Sequence, residues 1–239
     1  MNLPTLAVKT VDIKLPVSGK KVKIRPFTVK EQKNLLLAVE QANSLKEKEL
    51  ESFLISEFKN IINHCLVDSS LNIDDLFISD FMYLMLQLRS ISVGESIELT
   101  YTCPCETRVN FNIELDKLKV KNKKRNYEKT IKLTEDISMV LDFLTVDDIL
   151  KISELNDDDI LLNTICRSIK KISDTDTVYE TNNFTHEEII SFVEQIPIDK
   201  TKEIEEYFNQ TPYLVYETKI SCPEEDIKLE VVNLSDFFY

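Results

Sequence analysis

The sequence predicts an α+β protein built by internal duplication of a β-hairpin–helices–β-hairpin unit, its two copies related by a pseudo-twofold axis. Three observations predict it. Apolar and polar residues alternate with period two at both ends of each half of the 239-residue chain, as in half-buried strands. Between those ends apolar residues recur every three to four positions, in segments that open on Thr-x-x-Glu or Thr-x-x-Asp, the spacing of a helix capping box. The same landmarks then return in the same order. The expected units are 1–118 and 119–239, with a basic connector over about 117–129.

In the first unit Val11, Ile13 and Leu15 alternate with polar residues, as do Val22 and Ile24, and Gly19 lies between them. That is a hairpin pattern. Thr28 and Glu31 then predict a helix running to about Ala42. A longer helix follows, with Leu50, Phe53, Leu54, Phe58, Ile61, Ile62 and Cys65 on one face. The segment "SDFMYLMLQLRSIS" is apolar almost all round, so it predicts a buried helix, with Ser79 as its cap. Finally "SIELTYTCPCETRVNFNIEL" alternates on both sides of its cysteines, a second hairpin with sulfur near its turn.

The basic stretch "KLKVKNKKRNYEK" interrupts an acidic chain and reads as a solvated connector. After it the pattern restarts. Ile131-Lys132-Leu133 repeats Ile13-Lys14-Leu15, and Thr145 and Asp148 stand where Thr28 and Glu31 stood. The helical segments "VDDILKISEL" and "DDDILLNTICRSI" follow, Cys166 answering Cys65, and Thr185 with Glu188 opens another helix. The closing "YLVYETKISCPEEDIKLEVV" answers the first cysteine hairpin, with Cys222-Pro223 opposite Cys103-Pro104.

Composition narrows the function. With only two glycines, Gly19 and Gly94, no phosphate-cradling loop is possible, since such loops need several at fixed spacing. A formal net charge of −13 excludes binding nucleic acid by bulk electrostatics, and points to protein partners. No apolar run approaches the ~20 residues that span a bilayer, and the first residues lack a signal-peptide pattern. A cytoplasmic protein without membrane contact is expected, its five cysteines reduced. Cys65 and Cys166 lie in apolar helical patterns and are expected to be buried.

The Cys103-Pro104-Cys105 turn poses the one chemical question. Structural zinc takes four thiolate or imidazole ligands, commonly from paired C-x₂₋₄-C knuckles. Here the spacing is C-x-C, and the matching hairpin offers only Cys222, with Glu224 where a second cysteine would stand. Cys103, Cys105, Cys222 and a further ligand could hold zinc if the two hairpins lay side by side. The favoured reading is a structural turn without cofactor. His64 and Cys65 are neighbours on a helix, so their side chains diverge by ~100°. The runs Asp157-Asp158-Asp159 and Glu224-Glu225-Asp226 have cap and turn chemistry and lack the alternation of a calcium loop. No convergent acid–base set is visible, and an enzyme is not expected.

The block "LPVSGKKVKIRPFTVKEQKNLLLA", the "LRSISVGESIEL" lead into a cysteine hairpin, and the ending "NLSDFF" together resemble the baseplate-hub proteins of T-even-type contractile-tailed bacteriophages. The resemblance covers most of the chain and is most specific at Arg25-Pro26-Phe27-Thr28 and the helix after it. None of these motifs is catalytic. The resemblance implies a non-enzymatic protein of hub assembly, either a hub subunit or an assembly chaperone. Its partners would be other baseplate hub or tail proteins, in a hetero-oligomer. It would act in the host bacterial cytoplasm during assembly, or in the virion tail baseplate. Phe237, Phe238 and Tyr239 are candidate partner-docking residues, with closure of the protein's own core as the other reading. The alternative function is a small zinc-binding adaptor or regulatory protein.

Overall fold

A computed structural model gives the fold and describes residues 6–67, 71–124, 126–155, 160–221 and 226–231. Its helices and small antiparallel sheets make an α+β protein, arranged as two compact units. The first unit combines the chain up to Lys121 with the segment from Tyr213 onward. The second is Asn122–Pro212.

In the first unit β1 (Val11–Lys14) and β2 (Lys21–Ile24) form the expected hairpin, Ile13 opposite Val22. Gly19 turns the chain at φ +70°, a conformation that costs a residue without Cβ little. Helix α1 (Val29–Ala42) starts where the capping box puts it, with Glu31 accepting from the Thr28 backbone amide at 2.8 Å. Helix α2 (Glu47–Cys65) buries Leu54, Phe58, Ile61, Ile62 and Cys65, and its end returns to the hairpin, where the Arg25 amide donates to the Cys65 carbonyl at 2.9 Å. Helix α3 (Ile78–Ser92) runs through the core, with Phe81, Leu84, Met85, Leu86 and Leu88 fully buried.

Strands β3 (Ser96–Thr102) and β4 (Arg108–Glu114) form the cysteine hairpin. Next come a short 3₁₀ turn and strand β5 (Lys119–Lys121). The chain then leaves for the second unit and returns as β10 (Tyr213–Ser221) and β11 (Asp226–Val231), giving a sheet of order β11-β10-β5. Leu86, Ile97, Ile113, Leu115, Leu214 and Tyr216 form one buried cluster. Thus α3, the cysteine hairpin and the C-terminal hairpin share a core.

The second unit is a four-stranded meander: β6 (Lys129–Lys132), β7 (Ser138–Leu141), β8 (Ile169–Ser173) and β9 (Val178–Glu180), in that spatial order. Helices α4 (Val146–Ser153) and α5 (Ile160–Ser168) fill the connection from β7 to β8. Helices α6 (His186–Val193) and α7 (Thr201–Phe208) complete the unit. Its core includes Ile131, Met139, Leu141, Phe143, Val146 and Ile169, with Tyr207 stacked on Phe143 at 4.8 Å between ring centroids. The Tyr207 hydroxyl donates to the Tyr127 carbonyl at 3.0 Å, which satisfies it in an apolar setting.

Several expectations are corrected by these observations. The compact units are not the sequence segments 1–118 and 119–239: the C-terminal hairpin joins the first unit because β10 pairs with β5 and buries Leu214 and Tyr216 there. Ser79 is not the cap of α3; it lies buried in the first turn, and Phe77 holds the cap position. The basic stretch is only partly a connector, since Lys119–Lys121 is a strand. The β8–β9 hairpin departs from the strand pattern, because Ile169-Lys170-Lys171-Ile172-Ser173 breaks the period-two alternation.

Candidate functional site

The cysteine hairpin closes on a turn held by its backbone: the Cys103 amide donates to the Thr107 carbonyl at 2.9 Å and the Glu106 amide to the Cys103 carbonyl at 2.8 Å. Glu106 takes φ +61°, the left-handed conformation that completes the reversal. Cys103 is buried, and the half-exposed Cys105 thiol lies 3.4 Å from the Thr107 hydroxyl, to which it donates. Cys222 lies outside the described residues, as do Phe237, Phe238, Tyr239, Asp157-Asp158-Asp159 and Glu224-Glu225. Among the described residues no group of three or more His, Cys, Asp and Glu side chains is placed to hold a metal ion. Within the same residues no helix is long and apolar enough to cross a membrane.

Burial pushes the thiols of Cys65 and Cys166 up to about 11, so both are protonated near neutral pH and poor nucleophiles. Arg25 ties the Arg-Pro-Phe-Thr block to two helices. Its guanidinium donates to both carboxylate oxygens of Glu31 (3.0 and 3.2 Å) and to the His64 carbonyl at the end of α2 (2.7 Å). One cation thus satisfies the C-terminus of α2 and pairs the buried acid at the N-terminus of α1. The Arg25 hydrogen bonds hold the Glu31 carboxyl down to about 2 against its burial. This is a structural junction.

Among the described residues, the second unit carries two clefts, which share Phe184 and Ile189 in their linings. One, of about 330 Å³, is apolar: Ile137, Ile172, Tyr179, Phe184, Ile189 and Phe192 line it, with Asp174 and Glu188 adding carboxylates. Asp174 is fixed by accepting from the amides of Asp176 (2.9 Å) and Thr177 (2.8 Å) and from the Tyr179 hydroxyl (2.9 Å), which hold its carboxyl below the usual range. Phe184 remains 41% exposed and Val178 on β9 60% exposed, so apolar surface continues outside the cleft.

The other cleft, of about 630 Å³, is polar, and includes Asp147, Asp148, Lys151, Arg167, Lys170 and His186. Most of these groups already serve the fold. Asp148 caps α4 by accepting from the Thr145 amide at 3.0 Å and lies 3.8 Å from Arg167; Lys151 pairs with Asp147 at 2.6 Å. His186 donates through Nε2 to Oδ1 of the buried Asn163, and burial together with Arg167 lowers its pKa, leaving it neutral near pH 7. Cys166 is thus protonated and His186 committed to Asn163, so the two do not form an activated thiol pair. Sequence reasoning missed both clefts. The Asp174-x-x-Thr177 turn was the available signal, an Asx turn that predicts the β8–β9 reversal.

The chain matches the family model described as "T4 bacteriophage base plate protein" over residues 7–239. No curated protein and no solved structure matches it. The matched range includes the N-terminal block, the lead into the cysteine hairpin and the closing segment, whose residues carried the resemblance in the sequence. The chain belongs to the T4 bacteriophage base plate protein family.

Proposed function

We propose that the protein is a non-enzymatic component of baseplate hub assembly in a contractile-tailed phage, as a hub subunit or an assembly chaperone. It acts by binding other hub or tail proteins in a hetero-oligomer, in the host cytoplasm during assembly. The observation that carries this reading is the family match over 7–239. The apolar cleft supports it: a neighbouring baseplate protein would seat an apolar side chain against Phe184 and Ile189. The carboxylates of Asp174 and Glu188 favour a segment in which that side chain is flanked by Lys or Arg. Phe237, Phe238 and Tyr239 are proposed as a second contact. An ancestral duplication belongs to the same reading, supported by the two hairpins β1–β2 and β6–β7, each followed by a capping-box helix.

The test is peptide quantification by mass spectrometry in purified mature particles and in baseplate intermediates from infected cells. Stoichiometric presence in mature particles identifies a hub subunit. Presence in intermediates alone identifies a chaperone, and absence from both overturns the reading.

A further inference from the structure

Helix α1 buries one face in its own unit and leaves three large apolar residues exposed on the other. Glu31, Leu35, Ala38 and Ala42 are buried on one side. At 3.6 residues per turn, Val29, Lys33 and Glu40 fall within about 30° of the opposite direction, with Leu36 and Leu37 about 50° to either side. That second face is open: Val29 is 88% exposed, Leu36 60%, and Leu37 beside it 46%. Lys33 and Glu40 are exposed as well.

Glu40 on this face lies in the last turn, where the macrodipole favours a cation instead, and no basic residue accompanies it there. The charges on this face also form a self-complementary pattern. Lys33 and Glu40 stand three residues outside Leu36 and Leu37, one on each side. An antiparallel copy of the same helix, on a twofold axis beside Leu36 and Leu37, would set each Lys33 against the other copy's Glu40. Each Glu40 would then also approach the N-terminal half of its partner's helix, where the dipole favours an acid.

We infer that the open face of α1 is a homodimer contact, in which α1 packs antiparallel on α1 of a second copy through Leu36, Leu37 and reciprocal Lys33–Glu40 pairs. Its 14 residues span about 21 Å, which puts the contact below about 1,200 Å², the range of weak and transient interfaces. The dimer is therefore reversible, and this inference stands independently of the role in the baseplate.

Sedimentation of the full chain from about 1 to 500 μM tests it, a range that covers dissociation constants from micromolar to submillimolar. Wild type is expected to show a monomer–dimer equilibrium. Lys33→Glu and Glu40→Lys each create two like-charge pairs across the axis and weaken the dimer by about tenfold. The double variant restores it. Mixing the two single variants gives a heterodimer tighter than either homodimer, because every pair across the axis is then of opposite sign. Leu36→Glu abolishes association. All three positions are exposed, so melting temperatures by circular dichroism are expected to stay at the wild-type value, which separates loss of contact from loss of fold. A wild type that is monomeric throughout overturns the inference, as does a dimer indifferent to the charge reversals or a mixture that fails to associate.

Discussion

Arg25 is one guanidinium shared by the end of a strand, the start of α1 and the end of α2. Its partner Glu31 is almost fully buried, and breaking a buried pair strands the remaining charge. Glu31→Gln is expected to cost about 2–3 kcal/mol at neutral pH, from the gap between its folded and ordinary pKa values. The sign of the pH effect follows. Glu31 falls from an ordinary value near 4.5 to about 2 on folding, so its contribution is complete above pH 4.5 and lost as pH falls toward 2. Thermal unfolding followed by circular dichroism should therefore show a steeper loss of stability between pH 5 and pH 2.5 in wild type than in Glu31→Gln. Equal slopes would show that the acid limb lies elsewhere. Thiol accessibility gives a second check at this scale. Alkylation of the native protein, mapped by mass spectrometry, should modify half-exposed Cys105 well before Cys65 and Cys166, whose burial holds their thiols near 11.

At the scale of elements, hairpin β1–β2 depends on a residue far along the chain. The amides of Val17 and Ser18 in its turn donate to the two oxygens of Asp80, at 2.7 and 2.8 Å, and Asp80 is fully buried in the first turn of α3. An acid there also suits the helix dipole. Asp80→Ala orphans both amides and should destabilise the first unit by about 2–4 kcal/mol in chemical denaturation. A loss below 1 kcal/mol would mean that water replaces the carboxylate. The sequence marks Asp80 only as an acid in an apolar segment; that it clamps a turn 62 and 63 residues away is a tertiary fact. Local signals did better. The boxes at Thr28, Thr145 and Thr185 each open a helix, because a cap involves groups only three residues apart.

For the whole molecule, the second unit is an insertion between two paired strands. Lys121 of β5 stands directly opposite Tyr213 of β10, so the chain leaves and re-enters the first unit at neighbouring points. Replacing residues 122–212 with Asn-Gly, a two-residue turn suited to antiparallel strands, should give a protein that unfolds cooperatively. Conversely, ending the chain before Tyr213 removes Leu214 and Tyr216 from the cluster with Leu86, Ile97 and Ile113, and should unfold the first unit. Circular dichroism melts of the two variants decide the matter. If the shortened chain fails to fold while the truncated one survives, the C-terminal hairpin is dispensable and the insertion is not.

What the sequence by itself determined lay in its clearest short-range patterns. The alternation of β1–β2, the three Thr capping boxes, the burial of Cys65 and Cys166 and the family are legible there, since they depend on spacings of two to four residues or on whole-chain likeness. The cysteine turn was legible too, although its Cys222 counterpart lies outside the described residues. Only the tertiary structure decided that the C-terminal hairpin completes the first unit, that Lys119–Lys121 is a strand, and that Ile137, Tyr179, Phe184 and Phe192 line one cleft. Several strands here alternate equally well, so pattern alone does not choose their neighbours. The entropy of closing a loop rises only slowly with its length. Sequence distance therefore does not forbid β10 from reaching back across a whole unit to β5, and burial of apolar surface settles the pairing.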